Sequence, residues 1–154
     1  MSSLRGQANH ALYLGRILLQ SWEQAQGAES LPAHLLAQAF GPAVRQHLLR
    51  AYGWFLLDLQ KPAQLPAEPP ACVAALPPTA PGKAQPAELT EFAQLEADGW
   101  LAPLLQAPSA ETPRRSEGSL AATASGLPDR TELQSIADQL DAAFSRMGDL
   151  LDEC

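Results

Sequence analysis

The segment Ala43–Leu59, AVRQHLLRAYGWFLLDL, sets the constraint that any fold of this chain must satisfy. Val44, Leu48, Ala51, Phe55 and Leu59 recur at steps of three and four, the period of a helix with one face toward a core. His47 and Tyr52 lie beside that face. Over Trp54, Phe55, Leu56 and Leu57 the run is apolar on every side, so a helix here needs more than one neighbour to cover it. The segment therefore reads as the central helix of a small bundle. Any of that surface left uncovered becomes an interface.

A length of 154 residues suits one domain spanning 1–154. Val and Ile occur twice each, while Leu, Ala and Gln abound. That composition disfavours a sheet and favours helices. The fourteen prolines fall mostly between helical stretches rather than inside them. The predicted fold is all-α: a four-helix bundle with long proline-rich connections and a kinked second helix.

A first helix is predicted over about 8–26, with Ala8, Ala11, Leu12, Gly15, Leu18, Leu19, Trp22 and Ala25 on one stripe and Gly27 as its stop. Gly15 on that stripe permits close approach of a neighbour. The second helix, about 31–60, is capped by Ser30 and turns Leu35, Leu36, Ala39 and Phe40 inward. Gly41-Pro42 interrupts it, because proline removes a backbone donor and crowds the preceding turn.

Residues 62–86 hold eight prolines without periodicity, and 62–85 reads as a flexible connection that Leu65, Val73 and Leu76 could pin. A third helix spans about 86–105, bent or divided after Asp98-Gly99. Residues 108–127 read as a flexible loop containing the basic doublet Arg114-Arg115. The last helix, about 129–153, opens on an Asp129/Glu132 capping box. It carries Leu133, Ile136, Ala137, Leu140, Ala143, Phe144, Met147, Leu150 and Leu151 as its apolar stripe.

Candidate chemistry is sparse. His10, His34 and His47 fall on separate segments without the Glu-x-x-His pairs of a di-metal bundle, so no metal and no cofactor is expected. His47, between Arg45 and Arg50, would serve as a base only if another helix supplied a carboxylate. A hydrogen-bonded core histidine is the commoner outcome for such a residue. Arg45 and Arg50 could form an anion site, or pair with Glu23 and Asp58. Trp22, Trp54 and Trp100, one on each of the first three helices, are core anchors or the walls of a pocket. No glycine-rich phosphate loop or nucleophile elbow is present, and no catalytic residue is assigned.

Charge is lopsided. Residues 1–60 carry four Arg against three acidic groups, whereas 86–154 carry four Arg against thirteen. That balance argues against nucleic-acid binding through the C-terminal half. The N-terminus lacks the apolar core of a leader, and no apolar run reaches membrane-spanning length. Cys72 and Cys154 make no disulfide framework, so a cytoplasmic location with reduced thiols is expected.

The order Asn9, Leu12-Tyr-Leu14, Trp22, then Arg45, His47-Leu48, Tyr52-Gly53, then Glu88-Leu89, Leu95-Glu96, Gly99-Trp-Leu101, Leu104-Leu105 and a closing Glu153-Cys154 is distinctive. It resembles a family of short, uncharacterised cytoplasmic proteins, a domain of unknown function, from pseudomonads and related gammaproteobacteria. The resemblance implies no assigned activity. Because some members lie near DNA-damage-response genes, it also implies a stress-linked accessory or regulatory role.

The leading expectation is a non-enzymatic cytoplasmic bundle acting through protein–protein contact, with itself as a homodimer or with an unidentified cytoplasmic protein. The surfaces for that contact are Trp54, Phe55, Leu56 and Leu57, and the acidic face Asp138, Asp141, Asp149 and Asp152. One alternative is a small-ligand or enzyme pocket formed by Trp22, Arg45, His47, Arg50 and Trp100. The other is an acidic mimic of nucleic acid.

Overall fold

The computed structural model describes residues 3–79, 81–82, 84–106 and 129–152, with the side chains of 148–152 excepted. The predicted loop over 108–127, with Arg114-Arg115, lies outside the described residues, as do Cys154 and the side chains of Asp149, Leu150, Leu151 and Asp152.

Helix α1 runs Leu4–Gly27, starting a full turn before the predicted Ala8. Ser3 explains the early start: its Oγ accepts the Gly6 N–H at 2.9 Å, satisfying one of the free donors of the first turn. Gly27 does not end the helix through a left-handed backbone. Glu29, with φ of 54°, takes that conformation instead.

Helix α2 runs Ala33–Gln60 as one element with Pro42 inside it. The helix runs through Gly41-Pro42, so the predicted break is absent, and so is a side-chain cap from Ser30, since Pro32 occupies the cap position. Two local facts make Pro42 tolerable. The preceding residue, Gly41, has no Cβ to meet the pyrrolidine ring. Pro42 and Gln38, whose carbonyl loses its partner, are both exposed, so water can satisfy that oxygen. Packing on both sides of the proline supplies the rest: Leu36, Gly41, Val44 and Leu48 are all buried.

α1 and α2 form an antiparallel pair. Arg5 meets Asp58, Gly15 lies under Leu48, and Trp22 stacks on Phe40 at 6.0 Å. A Cβ on Gly15 would sit 3.1 Å from Leu48 Cδ2, so the glycine sets how closely the helices approach. Of the inward set predicted near the start of α2, Leu36 is buried and Phe40 packs on the core. Leu35 and Ala39 are exposed.

The connection between Lys61 and Pro86 includes a 3-10 turn, Val73–Ala75, and touches α2 at Gly53 and Gln60. Val73 and Leu76 pack on the core, while Leu65 is exposed. Pro69 and Pro70 cross α2 at Gly53, where an added Cβ would run into the Pro70 carbonyl oxygen and the Pro69 ring. Gln60 Nε2 donates to the Pro77 carbonyl at 2.7 Å. The proline count in this stretch does not announce such a crossing.

Helix α3 is Ala87–Asp98 and the short α4 is Ala102–Leu105. The chain turns between them because Gly99, packed onto Leu95, leaves no room for a side chain. Helix α5 is Arg130–Asp152. Its predicted capping box is present: the Glu132 N–H donates to Asp129 Oδ1 at 2.8 Å, and the Asp129 N–H to Glu132 Oε2 at 3.3 Å. Leu133, Ile136, Ala137, Leu140, Ala143, Phe144 and Met147 are all buried, as their spacing predicts. Among the described residues the fold is an all-helical bundle, and no helix is long and apolar enough to cross a membrane.

Three substitutions test this architecture by equilibrium unfolding. Gly53→Ala should destabilise by about 1–3 kcal/mol through overpacking against Pro69-Pro70, although helix propensity alone would give a gain of about 1 kcal/mol. Gly27→Ala, with open space around it, should be neutral or slightly stabilising. Pro42→Ala should stabilise by about 1–3 kcal/mol if α2 is continuous, and should leave the midpoint unchanged if the helix is broken there.

Candidate functional site

The five residues predicted to line a pocket make separate contacts among the described residues. Arg45 and His47 leave α2 two positions apart, hence about 200° around the helix, so they point to different flanks. Arg45 Nε donates to the Leu104 carbonyl at 2.9 Å, which ties α2 to the end of α4, and burial lowers its pKa from the ordinary value. Arg50 pairs with Glu68 of the crossing segment at 2.8 Å. Trp22 is buried against Phe40. His47 is half-buried beside Gly15. Burial first, then the charges of Arg50 and His10, hold its imidazole below the ordinary pKa. Both charges that reach it are basic. Asp58 pairs with Arg5 at 3.1 Å rather than with Arg45 or Arg50, because the antiparallel hairpin brings the end of α2 to the start of α1.

The predicted interaction surface also divides. Phe55, Leu56 and Leu57 are fully buried and Trp54 is half-buried, so the over-wide apolar run is consumed inside the bundle. On α5, Asp138 and Asp141 are exposed but share Arg16 of α1, at 3.1 and 3.5 Å. Their charge is partly matched within the chain. Asp149 and Asp152 lie outside the described side chains.

Trp100, one of the predicted pocket residues, borders a cavity. A depression of about 260 Å³ lies between α3 and α5. Phe92, Leu95 and Trp100 face Ala142 and Ala143 across it, with Gln139 at its edge and the ion pair Arg146–Glu91 bridging it at 3.2 Å. Ala142 and Glu91 are exposed and Trp100 is half-buried. The sequence holds a partial signal for this place: Ala142 and Ala143 are small where α5 meets α3, and Trp100 follows a helix-ending Asp98-Gly99.

A junction that the sequence gives no means of finding joins α2, α3 and the crossing segment. Glu96 Oε1 accepts the Tyr52 hydroxyl at 2.7 Å and the Val73 N–H at 2.8 Å. Tyr52 is fully buried, and burial, then the hydrogen bond to Glu96 and its charge, push the phenol far above its ordinary pKa. Tyr52→Phe should therefore cost about 2 kcal/mol at neutral pH, as expected for loss of a hydrogen bond to a charged acceptor. The fold favours the neutral phenol, so this contribution is complete below a pH of about 10 and declines as pH rises beyond it, at up to about 1.4 kcal/mol per unit. Urea unfolding at pH 8 to 11 should show the wild type losing its advantage over Tyr52→Phe across that range.

No curated protein and no solved structure matches the chain. The match that exists is to a family profile and covers residues 1–154. The chain belongs to the family of unknown function DUF6586.

Proposed function

We propose that the protein acts by contact with another protein chain, without catalysis, and that the depression between α3 and α5 is the contact surface. The observation that carries this reading is the pairing of an accessible aromatic, Trp100, with Leu95, Ala142 and Ala143 in one concave patch rimmed by Glu91, Gln139 and Arg146. A concave apolar centre with a polar rim is how protein interfaces are built, and tryptophan is among the residues that dominate their energetics. Three polar side chains of α2 are engaged in holding elements together: Arg45 on α4, Arg50 on the crossing segment and Tyr52 on Glu96. We place the contact in the cytoplasm, where the free thiol of Cys72 would stay reduced.

Site-specific photo-crosslinking in cells tests the reading. A crosslinker at Ala142 should give a discrete adduct heavier than the monomer, and one at Gln20, exposed on α1, should not. An adduct of twice the monomer mass would identify a second copy as the partner. No adduct at position 142, or the same products from both positions, would remove this surface.

A further inference from the structure

The depression does not end at Trp100. A second hollow of about 430 Å³ follows α3 and shares Glu91 and Leu95 with the first, extending past Ala97 to Asp98 and Gly99. The two form one furrow. Its apolar part is Phe92, Leu95 and Trp100, and its exposed carboxylates are Glu91 and Asp98. Among the described residues that line it, Arg146 is the one cation, and it is already paired with Glu91.

The wider charge points the same way. Among the described side chains of 86–106 and 129–147, the stretches whose residues line this furrow, eight carboxylates stand against two arginines, whereas 1–60 is close to balanced. An acidic field around an aromatic floor repels phosphates and acidic peptides and attracts cations. A Lys or Arg has an apolar stem that covers Leu95 and a charged end that is favoured over an indole face. The Arg146–Glu91 pair is exposed on both sides, and such pairs are weak enough that an incoming cation can replace Arg146 on Glu91.

We propose that this furrow takes a basic amphipathic segment of a partner protein, with apolar side chains over Leu95 and Trp100 and Lys or Arg ends against Glu91 and Asp98. The proposal rests on the protein-contact reading above and names its partner class. Glu91 and Asp98 set the charge preference, and Trp100 provides the apolar contact.

The test is fluorescence anisotropy of the full chain with a labelled amphipathic Leu/Lys peptide and its Leu/Glu counterpart. The Leu/Lys peptide should bind and the Leu/Glu peptide should not. Glu91→Gln with Asp98→Asn should weaken binding by about tenfold or more. Asp138→Asn with Asp141→Asn, on the α1 flank, makes the same change in formal charge, from -7 to -7 + 2 = -5, and should weaken it by less than about twofold. Trp100→Leu, verified as folded by its thermal melt, should also weaken binding.

Equal losses from the two double variants would reduce the effect to net charge and overturn the proposal. Absence of Leu/Lys binding, equal binding of Leu/Glu, or indifference to Trp100→Leu would overturn it too. An adduct at position 142 without peptide binding would leave protein contact standing and remove the basic partner; neither result would remove both.

Discussion

At the ring of Phe55 the helices of the bundle come together. Phe144 of α5 lies 4.3 Å away between centroids, Phe92 of α3 meets it edge-on at 5.7 Å, and the Arg5 guanidinium of α1 stands 5.7 Å over it. Aromatic pairs of this kind contribute about 0.5–1.5 kcal/mol each beyond area burial, and a buried Phe is worth about 3–5 kcal/mol against Ala. Tyr52, one turn earlier on α2, meets the same Phe92 edge-on. The helices therefore register on one another through a single aromatic cluster, and α2 can be apolar all round because each of its sides has a different cover. The surplus surface between Trp54 and Leu57 is the cost of being central.

A cation beside that cluster needs a counter-charge, and Asp58 supplies it to Arg5. Arg5 Nε donates to Asp58 at 3.2 Å and Nη1 to the Phe144 carbonyl at 3.4 Å, while Nη2 lies 3.1 Å from the same carboxylate oxygen without a hydrogen bond. Both charged side chains are largely covered, so the pair matters less for Coulomb energy than for avoiding an unpaired charge at a helix junction. Glu96 has the same role across the cluster, where one carboxylate oxygen holds both Tyr52 and the backbone of the crossing segment. Polar groups here fix the order in which apolar surfaces stack.

Local features were legible from the residues alone. The stripes of α1 and α5, the Asp129/Glu132 box and the close approach at Gly15 all depend on residues within a few positions of one another, and each is found in the structure. The errors come from distance. Gly41-Pro42 reads as a break because the local rule counts a lost hydrogen bond but cannot see the packing on both sides that outweighs it. Asp58 cannot be matched to Arg5 until the hairpin is known, and Gly53 reads as a weak spot in a helix rather than a slot for Pro69-Pro70. Around His47 the limit is helical phase: Arg45 and His47, at two-residue spacing, diverge in space, and Trp100 lies at the depression between α3 and α5.

That cavity has a structural origin. α3 has 12 residues and α5 has 23, so the first spans about 18 Å against about 35 Å for the second. α3 cannot cover its neighbour along its whole length. The chain ends α3 at Gly99, because Leu95 fills the space a side chain would need, and the turn then places Trp100 against what α3 leaves bare. A half-covered indole with Ala142 and Ala143 across from it buries less than two full helices would, and neither alanine is large enough to close the gap. Larger residues at these two positions would fill the depression at little cost to helix propensity. The bundle keeps them small, and Trp100 stays half-exposed beside the depression.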